Sequence, residues 1–343
     1  MPYVTEGPTG EVAQTDMVKH LLGRKGPSGF GSASTAEKVA KNWDGSGKVV
    51  IITGSNTGLG KEAARVLAAR GAEVVMAVRD TTRGEAAAQD IRSKHPNANV
   101  KVMACDLSSL ASVKDFAAAY KATGKPCHIL IANAGVMACP FMLSAEKHEM
   151  QFATNHLGHF LLTQELLPLL SSTAKQAGSN SRVVVLSSAA HFNPYKKEAG
   201  GPIRLDAIDS PERYDVWGAY GQSKLCNVLF ARELHKRLTA EGTPVTAVVC
   251  HPGVIMTELG RHFEKTMSPV MRTVLPAAFS WAFKSIPQGA ATEVYLATSP
   301  AIKGGEYYAD CNISPSSAAS HDDELGRRLW QLSEKMLADA GIN

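Results

Sequence analysis

The chain reads as a single α/β domain, a doubly wound parallel sheet with helices on both faces. Three observations predict this. Short runs rich in β-branched residues alternate with helical segments over most of the 343 residues. The first such run leads through a glycine-rich turn into a helix. Nearly every polar motif falls just past the carboxyl end of a strand, where sheets of this kind bind ligands.

Lys48-Val-Val-Ile-Ile-Thr53 is an apolar run of strand length. Gly54, Ser55, Asn56, Thr57, Gly58, Leu59 and Gly60 follow, and Lys61 to Arg70 (KEAARVLAAR) then reads as a helix stopped by Gly71. Glycine lets backbone approach a pyrophosphate, and a helix N-terminus offers N–H groups and partial positive charge. This makes the sheet Rossmann-type and the turn a candidate dinucleotide cradle. Its spacing is TGxxxGxG rather than GxGxxG, so a plain βα connection is the alternative. Glu73–Val78 is the second strand and closes a βαβ unit. Arg79 follows it, where an acid would favour a ribose hydroxyl and an arginine suits a 2′-phosphate. A solvated surface arginine is the alternative. Asp80 keeps an NAD reading open, and Arg83, one turn on, is placed to assist.

The third strand, Asn99–Cys105, ends at Asp106-Leu107. The fourth, His128–Ala132, ends at Asn133-Ala134-Gly135. The fifth, Arg182–Leu186, ends at Ser187-Ser188, and the sixth, Pro244–Cys250, at His251-Pro252-Gly253. Helical segments are expected near 82–94, 109–122, 144–171, 216–238 and 287–297. Tyr220 and Lys224 stand four apart within such a segment and share a face. An ammonium beside a phenol lowers the phenol pKa, which makes Tyr220 a candidate proton donor or acceptor. Ser188 is placed to bond a reacting oxygen, and Asn155 to hold a water or orient Lys224.

In combination these motifs resemble the short-chain dehydrogenase/reductase family. Thr53 to Gly60 resembles its cofactor turn, Asn133-Ala134-Gly135 its sheet-stabilising motif, and Asn155, Ser188, Tyr220 and Lys224 its catalytic tetrad. The resemblance implies that Asp106, with Leu107, contacts adenine, and that Pro252, Gly253 and Thr257 hold the nicotinamide carboxamide. It implies NADP(H) and hydride transfer to or from a carbonyl or alcohol carbon. The Ser188–Tyr220 spacing is longer than is common, and the insert, Phe192 to Val216, is placed to cover the site. Asn155-His-Leu-Gly-His-Phe160 and Gly305-Glu-Tyr-Tyr-Ala-Asp310 resemble the retinol dehydrogenase and protochlorophyllide reductase branch. Met137 to Ser144, Gln151 to His156, Ala219 to Val228 and Gly26 to Glu37 resemble dehydrogenases of the chloroplast inner-envelope translocon. That narrower resemblance covers about residues 17–338 and implies a peripheral envelope protein with translocon subunits and calmodulin as partners. The alternatives are an enzyme of the retinol or protochlorophyllide type, a mainly regulatory NADPH-binding subunit, and a cytoplasmic or other membrane-peripheral site.

Composition narrows the classes. A net charge of +4 with mixed signs and no basic stripe gives no nucleic-acid signature. The six cysteines form no CxxC pair, and the eleven histidines no metal set, so no metal is expected. His156 and His159 share a helix face but have no ligand partner at metal spacing. Scattered cysteines fit a reducing compartment. No apolar stretch reaches the length of a membrane span. Residues 1–47, rich in Gly, Ser, Thr and Pro, read as an extended, partly disordered lead with one short helix near 38–43, and 48–343 as the NADP-binding domain. Within it, 258–286 is an expected lid. Its apolar run from Ser268, broken at Pro276, suits an apolar small-molecule substrate or a peripheral membrane contact. Residues 322–339 read as an amphipathic C-terminal helix. Leu325, Leu329, Leu332 and Met336 recur at helical spacing, with Arg327, Arg328 and Lys335 around Trp330. That suits a calmodulin groove or a docked helix.

Overall fold

The structure, a computed structural model, describes residues 23–196, 200–255 and 284–342. The six expected strands form as β1 (Val49–Thr53), β2 (Glu73–Val78), β3 (Asn99–Ala104), β4 (Ile129–Ala132), β5 (Ser181–Leu186) and β6 (Val245–His251). Two more, β7 (Tyr307–Ala309) and β8 (Asn312–Ile313), extend the sheet. The order is β3-β2-β1-β4-β5-β6-β7-β8, parallel until β8 turns back on β7. Asp310 and Cys311 make that turn, both at positive φ (51° and 64°). Such primed turns match strand twist but usually carry Asn or Gly, so the local sequence does not announce this one. The order reverses between β1 and β4, and a ligand crevice opens at such a reversal.

Alternation along the strands divides the interior. In β1, Val49 and Ile51 face one core, Val50 and Ile52 the other, and none is exposed. The first core is covered by α4 (Leu110–Ala122), α6 (Gly158–Ala177), α7 (Val216–Ala240) and α10 (Asp323–Asp339). The second is covered by α1 (Ala36–Val39), α2 (Gly58–Ala69), α3 (Thr81–Lys94) and α9 (Ala291–Thr298). All six cysteines are free and buried.

Four expectations change. The helix expected from 144 begins at α5 (Met150–Phe152), because the Glu149 carboxylate accepts the Gln151 and Phe152 amides at 2.9 and 2.8 Å and caps it there. A π turn, Ala153–Leu157, then joins α5 to α6, which runs on to Ala177. The segment near 287–297 is two helices, α8 (Ile286–Gly289) and α9. The short helix of the lead is α1, capped by Thr35 rather than starting at 38. The described part of that lead is docked: Ala36 and Ala40 are fully buried, and the Asn312 side chain bonds the Ser28 amide and the Phe30 carbonyl at 3.0 and 3.1 Å. Small side chains one turn apart let α1 sit close to the sheet's covering helices. Residues 1–22 and most of the expected lid, 258–283, lie outside the described residues. At the ends of that lid, Ile255 and Lys284 form a parallel bridge.

The C-terminal helix α10 lies on the core. Trp330 is only 5% exposed, edge-on to Phe160 at 4.9 Å, with the Arg237 guanidinium 4.2 Å above its ring. His156 in the π turn meets Ser333 of α10 (Nε2 to Oγ 3.0 Å), and the Ser317 amide donates to His191 Nε2 at 3.1 Å.

Burial pushes His156 down to about 3 and His191 down to about 4, from an ordinary 6.5. The buried Glu293 of α9 has no partner for either carboxylate oxygen among the described residues, and burial pushes it up to about 8. Unfolding lets each histidine take a proton near its ordinary 6.5, so their contribution is lost as pH falls below about 6.5. Unfolding lets Glu293 release one near 4.5, so stability also falls as pH rises from about 4.5 to about 8. Each group changes stability by about 1.4 kcal/mol per pH unit inside its window. These two histidines and His159, which burial pushes down to about 4 as well, outweigh one carboxyl below 6.5. Thermal melting is therefore expected to peak near pH 6.5, with Glu293→Gln flattening the alkaline side and steepening the acid side above about pH 4.5. Melting temperatures that stay level from pH 5 to 8 would contradict this.

Candidate active site

The glycine turn sits where β1 passes into α2. Gly54 adopts φ 64°, and a Cβ there would stand 2.8 Å from Ala134 Cβ. A Cβ on Gly60 would stand 2.5 Å from Asn133 Nδ2. The turn is therefore pressed against the end of β4 and cannot take larger residues at these points. Ser55 is buried, its hydroxyl donating to Ile52 O at 2.9 Å, whereas Asn56, Thr57, Gly58 and Leu59 are half-buried. Thr57 precedes α2 without capping it through its side chain, unlike Asp80 at α3, Ser109 at α4 and Asp215 at α7. An open helix start beside a cradle that a Cβ would fill fits a dinucleotide phosphate.

A buried polar chain runs inward from this turn. The Asn133 and Ala134 amides both donate to Thr53 Oγ1 at 3.0 Å, and Asn133 Nδ2 donates to Thr53 O at 2.7 Å. Thr53 Oγ1 lies 2.8 Å from His159 Nε2, and His159 Nδ1 lies 3.0 Å from Asn155 O. The Asn155 side chain accepts the Val136 amide at 2.7 Å and donates to Val136 O and Ser223 Oγ, both at 2.9 Å. Ser223 donates to Tyr220 O at 2.8 Å. Asn155 is fully buried and serves here as a joint between β4, the π turn and α7.

Ser188, Tyr220 and Lys224 meet across the ends of β5 and β6. Ser188 accepts the Ala190 amide at 3.2 Å, and its carbonyl accepts His191 Nδ1–H at 2.7 Å. Ser187 Oγ donates to Lys224 O at 2.7 Å, and Lys224 Nζ lies 3.4 Å from Leu186 O. A Cβ on Gly135 would touch Asn155 Oδ1 at 2.9 Å and Lys224 Nζ at 3.5 Å, which places all three residues at one spot. Lys224 Nζ lies 5.7 Å from the Tyr220 ring centroid. Burial pushes the phenol up to about 12, with a hydrogen bond from the Ser188 hydroxyl opposing, and pushes Lys224 down to about 8. Desolvation is the largest influence on Tyr220, and the lowering expected from the Lys224 ammonium does not appear beside it.

The remaining candidates ring this centre. Arg79 is exposed and has no ion-pair partner among the described residues. Asp80 is committed to capping α3 through the Arg83 amide at 3.0 Å. Asp106 accepts the Ser108 amide and hydroxyl at 3.0 and 2.7 Å, and Leu107 is buried against Gly158. Pro252 and Gly253 follow β6. Lys284 lies beneath them, its Nζ 3.4 Å from Pro252 O and paired with Asp310. Thr257 lies outside the described residues. The insert packs on the start of α7: a Cβ on Gly218 would stand 2.8 Å from the Tyr195 ring, and Gln222 accepts the Arg204 amide at 2.8 Å. Exposed Trp217 stands edge-on to Tyr220 at 6.4 Å, and Met142, Leu143 and Val254 are also exposed. Sequence reasoning missed His159, His191 and Lys284. The i,i+4 spacing of Asn155 and His159 was legible, but their partners lie far away in sequence.

Known proteins share this arrangement. A family model described as short chain dehydrogenase matches residues 48–201. The chain is 44% identical over 319 residues to short-chain dehydrogenase TIC 32 B, chloroplastic, of Brassica napus, spanning 92% of this chain and 97% of that protein. It is 43% identical over 293 residues to retinol dehydrogenase 12 of Mus musculus, spanning 85% and 86%. The crystal structure of an uncharacterized protein from Mycobacterium Paratuberculosis matches with a TM-score of 0.68 at 34% identity, over 87% of this chain and 97% of that one. Pseudomonas aeruginosa RhlG in its NADP complex shares the fold at a TM-score of 0.60 and 24% identity, over 77% and 94%. With a parallel sheet, a glycine turn and relatives that match it over nearly its whole length, the chain belongs to the short-chain dehydrogenase/reductase family of oxidoreductases.

Proposed function

We propose that the chain is an NADPH-dependent oxidoreductase acting on the carbonyl or alcohol group of a small apolar molecule. The observation that carries this is the meeting of Asn155, Ser188, Tyr220 and Lys224 beside the glycine turn. When bound, the nicotinamide supplies or takes the hydride at the substrate carbon. Ser188 donates a hydrogen bond to the substrate oxygen and stabilises charge as it develops there. Tyr220, protonated at neutral pH in this dry site, gives that oxygen its proton in the reducing direction. Lys224 holds the nicotinamide ribose, and Asn155 anchors the loop after β4 that carries Val136. The backbone of Gly54 to Gly60 receives the pyrophosphate, Asp106 and Leu107 the adenine, and Asn133, Ala134 and Gly135 line the floor. Pro252, Gly253 and Thr257 take the carboxamide. Exposed Trp217, edge-on to Tyr220 at 6.4 Å, supports an apolar substrate.

Arg79 supports NADPH over NADH. Its guanidinium is exposed just after β2, and the neighbouring carboxylate, Asp80, gives one oxygen to a helix cap. The likeness to a chloroplastic TIC 32 supports a peripheral place at the chloroplast inner envelope, with translocon subunits as partners and NADPH occupancy as a redox signal. Calmodulin is a further partner on this reading, and it must take α10 undocked, because Leu329, Trp330 and Met336 are buried.

Three tests follow from these roles. Tyr220→Phe should fold and bind NADPH while losing roughly 10²–10⁴ in turnover of an aromatic aldehyde, the span of a general acid. Wild-type rates in the purified variant would remove Tyr220 from the role. Arg79→Ala should weaken NADPH roughly ten- to hundredfold in calorimetry and spare NADH, since a charge-assisted hydrogen bond contributes about 1.5–3 kcal/mol. Equal loss for both cofactors would make Arg79 structural. A peptide of residues 321–339 should bind calcium–calmodulin more tightly than the full chain does, and NADPH should weaken full-chain binding further by linkage. A silent peptide would eliminate calmodulin as a partner.

A further inference from the structure

His159 is buried to 1% and joins the cofactor turn to the catalytic backbone. Its two ring nitrogens face groups that leave only one assignment of protons. Nδ1 is 3.0 Å from the carbonyl of Asn155, and a carbonyl only accepts, so Nδ1 carries the hydrogen. Nε2 is 2.8 Å from Thr53 Oγ1, whose lone pairs already receive the Asn133 and Ala134 amides. Thr53 therefore donates its single hydrogen, and Nε2 at 2.8 Å is the acceptor in preference to Ile131 O at 3.5 Å. Burial pushes His159 down to about 4, so the neutral ring that this pattern needs is the one present at physiological pH. The bonds run in one direction, from the β4 amides through Thr53 and His159 to Asn155 O. From the same residue the Asn155 side chain reaches Val136 and Ser223, and Ser223 reaches the backbone of Tyr220. The i,i+5 hydrogen bonding of the π turn shifts residues 153–157 out of α-helical register, and Asn155 O receives the ring bond there.

We propose that His159 is a positioning residue. As a single fixed tautomer bridging Thr53 and the Asn155 carbonyl, it holds the proton-donor helix in register with the cofactor turn. This rests on the assignment of Tyr220 and Asn155 above. Its own prediction is that loss of the His159 bridge lowers turnover, hardly moves cofactor affinity, and adds nothing once Thr53 has lost its hydroxyl.

The test uses the full chain with NADPH and 4-nitrobenzaldehyde as probe substrate, and ¹⁵N-histidine NMR, which needs no turnover. NMR should show His159 protonated at Nδ1 and bare at Nε2 from pH 8 to 5.5. A ring protonated at Nε2, or one that titrates in that range, overturns the proposal. His159→Phe keeps the ring volume and loses both bonds. It should lower kcat roughly ten- to hundredfold, the cost of a small misplacement, while the NADPH dissociation constant moves less than about threefold. His159→Asn keeps a donor for Asn155 O and should recover part of kcat. Thr53→Val removes this bond and also the acceptor of the Asn133 and Ala134 amides, so it should lose at least as much kcat as His159→Phe and weaken NADPH as well; Thr53→Ser should recover both, and the Thr53→Val/His159→Phe double variant should be no worse than Thr53→Val alone. Additive losses, or a kcat unchanged in a folded His159→Phe, overturn the proposal. If His159→Phe does not fold, the Thr53 pair and the tautomer carry the decision. Failure of the underlying reading is separate, since it alone leaves Tyr220→Phe active.

Discussion

The hydroxyl of Thr53 accepts two backbone amides from the neighbouring strand end, and the site is built outward from that junction. It fixes β1 against β4 at the point where the strand order reverses. Gly54 can then lie on Ala134, and Gly60 on Asn133, with no room for a Cβ at either. Backbone and side-chain polar groups at this depth must be paired, because an unpaired one costs roughly 1–3 kcal/mol. Here each of Thr53, Asn133, Asn155 and Ser223 has its partner, so the crevice is held rigid by bonds that have no cheap alternative.

Dryness is the second constraint. Desolvation dominates the ionisable groups around the site: it raises Tyr220, and it lowers Lys224, His159 and His191. A buried phenol that keeps its proton and histidines that stay neutral make a site in which few charges are present before ligands enter. Neutral imidazoles serve as directional links, each donating from Nδ1 to a carbonyl and accepting at Nε2. In that form His159 and His191 hold the backbones of the two residues, Asn155 and Ser188, that flank the reacting centre.

The described segments nearest the two termini pack on the domain. The described N-terminal segment lies on Asn312 and on α9, and α10 lies across α6 and α7 with Trp330 between Phe160 and Arg237. The C-terminal segment reaches the site through polar contacts, α10 by Ser333 to His156 and the preceding turn by Ser317 to His191. A partner that displaced α10 would therefore release a contact on the π turn next to Asn155.

Much of this was legible in the sequence. Apolar runs of strand length, the glycine turn and the four-residue spacing of Tyr220 and Lys224 are local signals, and periodicity reports them directly. They located six strands, the helix bearing Tyr220, and the residues that meet at the strand ends. Other features depended on contacts between distant segments. Strands β7 and β8 are too short to show a period, and their turn uses Asp310 and Cys311 rather than glycine. The start of α5 was decided by one carboxylate, Glu149, and its π turn has no sequence period of its own. That Asp80 lends one oxygen to a helix cap, and that Lys224 stands 5.7 Å from the centroid of a buried Tyr220 ring, could not be read from spacing. Periodicity is set by neighbours along the chain, and so sequence determined the elements. Protonation, capping and the partners of a buried histidine are set by whatever lies across the fold, and only the tertiary structure brings those groups together.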